Sequence, residues 1–155
     1  MKAAIFSDTH SNTARMVEAV RQYRPDVIIH LGDHDRDTAA LKREFPQIPL
    51  YSVCGNCDVG SAAPLAAVVP LGPVKAYICH GHQYRVDWGE LDSLVYAAQE
   101  RGCGLVLFGH THRPYQDHSL GMELLNPGSI GLGYPPGYGI LTIENGAART
   151  ELRSL

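Results

Sequence analysis

Short apolar runs alternate with amphipathic stretches through the first third of the chain. Lys2 to Ser7 is apolar and bounded by polar residues, which predicts a buried strand. Thr13 to Tyr23 carries Ala14, Val17, Ala19 and Val20 at helical spacing, and Pro25 stops it. Val27 to Leu31 predicts a second strand closed by Gly32, and Thr38 to Phe45 a short helix closed by Pro46. Pro49 to Cys54 predicts a third strand, ended by Gly55. This βαβαβ alternation predicts parallel pairing, with the loops after each strand gathered on one edge.

The middle of the chain changes character. Ala66 to Leu71 and Val74 to Cys79 are apolar runs separated by Gly72-Pro73, which predicts a hairpin. Trp88 to Arg101 has Leu91, Leu94, Val95 and Ala98 at helical spacing and ends at Gly102; Leu105 to Phe108 then predicts a short buried strand closed by Gly109. Met122 to Leu125, Tyr138 to Ile143 and Ala147 to Leu152 follow among turn residues and predict antiparallel strands. There is no internal repeat or linker. Residues 1–155 are expected to form one domain with two sheets and helices covering the outside.

Composition narrows the function classes. A chain of 155 residues with 45% apolar and 19% charged residues suits a single globular domain. A net charge of −3 argues against a dominant nucleic-acid surface. No apolar stretch approaches the ~20 residues that span a bilayer. Ser7, Asp8 and His10 interrupt the apolar start before it reaches signal-peptide length, so a cytoplasmic location is expected. Cys54 and Cys57 form a Cys-x-x-Cys pair without a second pair of zinc ligands, and Gly55-Asn56 between them predicts a turn. Cys54, Cys79 and Cys103 are expected to be buried structural thiols.

The candidate chemistry lies where the strands end. Asp8 and His10 follow the first strand, on one side of an extended segment. Asp33 follows the second through Gly32, and Asn56 the third through Gly55. His80 and His82 follow the second hairpin strand, and His110 and His112 the strand after it. One Asp-x-His pair occurs by chance; an ordered series at strand ends does not. Carboxylate, imidazole and carboxamide donors brought to one sheet edge suit a two-metal hydrolytic centre, with Asp33 able to bridge ions about 3.5–4 Å apart. His30 lies inside a strand and reads as structural, His34 falls outside the pattern, and His118 reads as a surface residue.

The set Asp8-x-His10, Gly32-Asp33, Gly55-Asn56-Cys57-Asp58, His80-Gly81-His82 and Gly109-His110-x-His112 resembles the calcineurin-like metallophosphoesterase superfamily. With Asn126-Pro127-Gly128-Ser129 and the short length, it most resembles the small single-domain phosphodiesterase branch. The resemblance implies a four-layer α/β/β/α sandwich, two mixed sheets flanked by helices. It implies that Asp8, His10, Asp33 and His112 hold one divalent ion, and that Asp33, Asn56, His80 and His110 hold the other. Many relatives carry a histidine after the asparagine that protonates the leaving group; here that position is Cys57. Beside Asn56, the candidates for proton donation are His82, with Asp58 as its orienter, and the Cys57 thiol itself; metal-assisted departure of a good leaving group without a strong acid stays open as well.

The reaction so implied is phosphate-ester hydrolysis by a metal-bridging hydroxide. Two divalent ions set against Asp8, Asp33 and that hydroxide leave a charge of about +1, which favours an anionic phosphate. The thiolate-free N/O ligand set admits Mn²⁺, Fe²⁺, Ni²⁺ and Zn²⁺, with Mn²⁺ favoured by the resemblance and the oxygen ligands. The partner expected is a small phosphorylated substrate, not a sequence-specific nucleic acid or a membrane; homo-oligomerisation stays open. Only Arg36, Arg85 and Arg113 lie near the motifs, which leans towards a singly charged diester. The competing reading is a non-catalytic scaffold like the retromer subunit of this fold, whose Trp-containing segment resembles His80 to Trp88. That scaffold departs from the pattern at several ligand positions, whereas Asp8, His10, Asp33 and Asn56 are all present here.

Overall fold

The computed structural model describes residues 1–155. One sheet holds β1 (Lys2–Phe6), β2 (Val27–His30), β3 (Leu50–Ser52), β9 (Gly137–Glu144) and β10 (Ala147–Ser154), in the order β10-β9-β1-β2-β3. The other holds β4 (Ala66–Leu71), β5 (Val74–Cys79), β6 (Leu105–Leu107), β7 (Tyr115–Asp117) and β8 (Glu123–Asn126), in the order β4-β5-β6-β8-β7. Both sheets are mixed: β1, β2 and β3 run parallel, as do β5, β6 and β8, while the other pairings are antiparallel.

Strand alternation builds the layers. Ala3 and Ile5 of β1 face the other sheet, where they meet Ile78, Leu105, Leu107 and Leu125; Ala4 and Phe6 face outward. On that outer side α1 (Thr13–Tyr23) and α2 (Thr38–Glu44) supply Met16, Ala19, Val20 and Leu41. The second sheet repeats the arrangement, with Tyr77 and Cys79 of β5 packing beneath Leu94, Val95 and Ala98 of α3 (Asp92–Glu100). The result is the expected α/β/β/α sandwich. Strands buried on both faces read as continuous apolar runs, which is why they stand out in the sequence.

Three expectations need correction. Trp88 does not begin the third helix: it ends a 3₁₀ turn, Val86–Trp88, and Gly89 at φ 73° separates that turn from α3. The strand around Met122 to Leu125 is parallel to β6 and antiparallel only to β7. Cys79 and Cys103 are buried as expected, but Cys54 is only half-buried.

Candidate metal centre

The carboxyl ends of β1, β2, β3, β5 and β6 open onto one edge, and the loops leaving them meet there. Two close backbone approaches make this packing. A Cβ on Gly55 would stand 2.1 Å from Asp33 Oδ1, and one on Gly109 would stand 1.9 Å from Ser7 Oγ. Neither position tolerates a side chain. Six of the residues that converge here hold left-handed backbone: Asp8, His10, Asp33, His34, His110 and His112, with φ between 45° and 70°.

Asp8 is fully buried, and its two oxygens are unlike. Oδ2 accepts from Ser7 Oγ at 2.5 Å and from the His110 amide at 3.2 Å. Oδ1 has no hydrogen bond and lies 3.0 Å from His112 Nε2, 3.9 Å from His80 Nε2 and 4.0 Å from His10 Nε2. One ligand atom each from Asp8, His10, Asp33 and His112 falls within 4.8 Å of all the others. His80 extends the cluster, with Nε2 3.4 Å from Asp33 Oδ1. Its Nδ1 donates to the Leu31 carbonyl at 2.7 Å, which turns Nε2 into the centre and sets the tautomer a metal ligand needs.

His110 reaches the cluster through its ring, 5.0 Å from that of His80, while its Nε2 meets Asp87 Oδ2 at 2.8 Å. Asn56 is exposed and donates to Cys57 Sγ at 3.6 Å. His82 stands beside His80 and His110 with a buried Nδ1 that has no partner. Asp58 serves the loops rather than His82: it accepts from the backbone amides of Gly55, Asp33 and Asp35 at 2.7, 2.9 and 3.0 Å. His34 packs against His10, with ring centroids 4.8 Å apart and the planes tilted by 53°.

The electrostatics follow from this crowding. Burial opposes ionisation of Asp33, yet His80 and the Cys57 amide hold its carboxyl far below the usual carboxylate range. Burial likewise opposes protonation of His80, and the Asp33 and Asp8 carboxylates overcome it, raising its pKa. His10 and His82 are lowered, in each case chiefly by burial. Removal from water and the Asp33 carboxylate push the Cys57 thiol up, although part of the residue reaches solvent. Buried nitrogens and an oxygen without hydrogen bonds (Asp8 Oδ1, His10 Nε2, His80 Nε2, His82 Nδ1) are costly in an empty polar site. Lone pairs of carboxylate and neutral imidazole converging without a donor fit divalent cations.

Three side chains brace the candidate centre. Ser7 fixes Asp8 Oδ2, Asp87 fixes His110, and Ser129 Oγ donates to the Asp8 carbonyl at 2.8 Å. Asn126 completes the frame, its amide donating to the Gly109 carbonyl at 2.8 Å and to Thr111 Oγ1 at 3.0 Å. The Asn126-Pro127-Gly128-Ser129 motif thus braces two ligand loops. Asp87 gave no signal because it sits in a polar segment whose approach to His110 exists only in three dimensions.

The sequence profile of the calcineurin-like phosphoesterase superfamily domain matches residues 1–146. The chain belongs to this superfamily. A probable metallophosphoesterase of Mycoplasma genitalium is 35% identical over 136 residues, covering 85% of this chain and 78% of the relative. Among solved structures, a predicted phosphoesterase from Streptococcus pneumoniae superposes with a TM-score of 0.80 at 24% identity, covering 99% of this chain and 88% of its own. Vps29 from Entamoeba histolytica, solved in complex with Zn²⁺, superposes with a TM-score of 0.76 at 20% identity, covering 99% of each chain. At these identities the structural likenesses establish the fold. Membership of the superfamily marks the chain as a metallophosphoesterase, and Asp8, His10, Asp33 and His112 form a candidate site for a divalent metal.

Proposed function

We propose that the chain is a binuclear metal-dependent phosphoesterase whose preferred substrates are phosphodiesters. The observation that carries this reading is the convergence of buried, unpartnered donor atoms from Asp8, His10 and His80 on one edge. Asp8, His10, Asp33 and His112 would hold one divalent ion, and Asp33, Asn56, His80 and His110 the other. When bound, such ions supply an ionised water nucleophile at neutral pH and positive charge for the phosphoryl oxygens. Ser7 and the His110 amide hold Asp8 in place for this, and the Leu31 carbonyl holds His80. His82, beside His80 and His110, would hand a proton to a leaving group. Few arginines stand near the motifs, which suits one negative charge on the substrate better than two. The ligand atoms of Asp8, His10, Asp33 and His112, within 4.8 Å of one another, support hydrolysis over the scaffold reading.

The test is elemental analysis after reconstitution with Mn²⁺, Fe²⁺, Ni²⁺ or Zn²⁺, paired with turnover of mono- and diesters. Two ions per chain, loss of turnover on chelation and a diester preference are expected. Asp33→Asn should lower occupancy and activity together. Full activity with a single ion overturns the binuclear reading.

A further inference from the structure

Beside the metal centre lies a cavity of about 550 Å³ lined by Val86, Asp87, Leu91, Phe108, Arg113 and Tyr115, among others. We infer that this cavity is the subsite for a planar aromatic or heteroaromatic ester group of the substrate; the inference rests on the phosphoesterase reading. Its position is the first argument. Asp87 belongs to both places, lining the cavity while its carboxylate holds His110 Nε2 at 2.8 Å. Phe108 stands two residues before His110 at the end of β6. A phosphate at the centre therefore has this cavity as a neighbour for one of its ester groups.

Size and lining supply the rest. Ligand cavities run from about 300 to 1,000 Å³, so this one far exceeds what a methyl ester fills. Val86 and Phe108 are buried and give it an apolar floor. The rings of Phe108 and Tyr115 stand 6.1 Å apart and tilted by 54°, two aromatic walls for a third ring. Arg113 adds a planar cation that stacks on aromatic faces. One cation against the Asp87 carboxylate leaves no surplus positive charge, so the group bound here is uncharged.

The test uses phosphonates, whose single organic group is joined to phosphorus by a P–C bond that the hydrolytic reaction does not break. With metal-loaded protein, inhibition constants and calorimetry are measured for methyl-, cyclohexyl- and phenylphosphonate. Phenylphosphonate should bind about 10-fold more tightly than methylphosphonate, with cyclohexylphosphonate between them. Tyr115→Ala and Arg113→Gln, at exposed positions, should each shrink the phenyl-to-methyl ratio, while Tyr96→Ala on the outside of α3 should not. Equal binding of methyl- and phenylphosphonate to an enzyme that hydrolyses phosphodiesters overturns the subsite and leaves the phosphoesterase reading standing. Equal binding of the cyclohexyl and phenyl compounds overturns the aromatic assignment. If no phosphate ester is hydrolysed and none of the phosphonates binds, the phosphoesterase reading falls, and the subsite with it.

Discussion

Asp58→Ala separates a loop-bracing role from a catalytic one. The Asp58 carboxylate accepts three backbone amides, those of Gly55, Asp33 and Asp35, and so ties the β2 and β3 loops together. A buried hydrogen bond to a charged group is worth about 1.5–3 kcal/mol. Asp58 is only half-buried, so water replaces part of what is lost. About 1 kcal/mol per bond is the better figure, and three bonds give roughly 3 kcal/mol. With a urea dependence of about 2 kcal/mol per molar, the unfolding midpoint of the metal-free protein should fall by about 1.5 M. Metal occupancy should fall with it, because Asp33 and Asn56 sit on the loops so tied. Asp58→Asn keeps one accepting oxygen and should lose less. The assay is urea unfolding with chelator, followed by kcat/KM of the metal-loaded variants across leaving groups of graded pKa. A loss of turnover that is uniform across leaving groups is expected. Metal-free stability within about 0.5 kcal/mol of the native chain, together with a loss that steepens with leaving-group pKa, would refute the reasoning and return Asp58 to proton transfer.

Cys57→Ala should keep most activity on a diester with a good leaving group, and Cys57→His should raise turnover on poor ones, read as kcat/KM against leaving-group pKa. His30 is fully buried and held near a pKa of about 4, chiefly by burial, so across pH 4 to 6.5 the unfolded chain binds a proton that the folded chain refuses. Acid therefore favours unfolding in that window, and the slope of metal-free stability against pH should flatten in His30→Gln. Gly109→Ala forces a Cβ to within 1.9 Å of Ser7 Oγ, and should cost at least about 1–3 kcal/mol of stability and displace Asp8, seen as weakened metal binding in a calorimetric titration.

What the sequence revealed depended on how locally each feature is encoded. Strands buried on both faces, such as β6, are unbroken apolar runs, and their ends mark the candidate metal centre. Most of the candidate ligand residues were legible because they follow such a run; Asn56 instead follows β3, an edge strand with Tyr51 exposed. β7 was not: Tyr115-Gln116-Asp117 is a short, polar strand held by pairing with β8 rather than by its own propensity. The direction of β8 was hidden for the same reason, since it is set by which neighbour a strand finds. His30 was rightly read as structural: its Nδ1 accepts from the Gly32 amide at 3.2 Å and its Nε2 is paired with Thr9 Oγ1 at 2.5 Å. His118 was rightly placed at the surface, paired with Glu123. Asp58, expected to orient His82, sits one loop away and bonds only to backbone, a role that motif spacing does not encode.

The left-handed backbone at Asp8, His10, Asp33, His34, His110 and His112 has a consequence for how this chain can change. Aspartate and histidine visit that region more readily than most residues, but each visit still costs about 1 kcal/mol. Six of them come to roughly 6 kcal/mol, comparable with the whole net stability of an ordinary domain. The folded chain carries that burden whether or not an ion is bound, so the geometry of the centre is held at the expense of overall stability. Selection for heat resistance alone, with ions withheld, would favour glycine at these very positions and erase the centre. Selection in the presence of the ions would hold them fixed and seek stability elsewhere. Metal supply in the surroundings thus decides which substitutions this fold can accept.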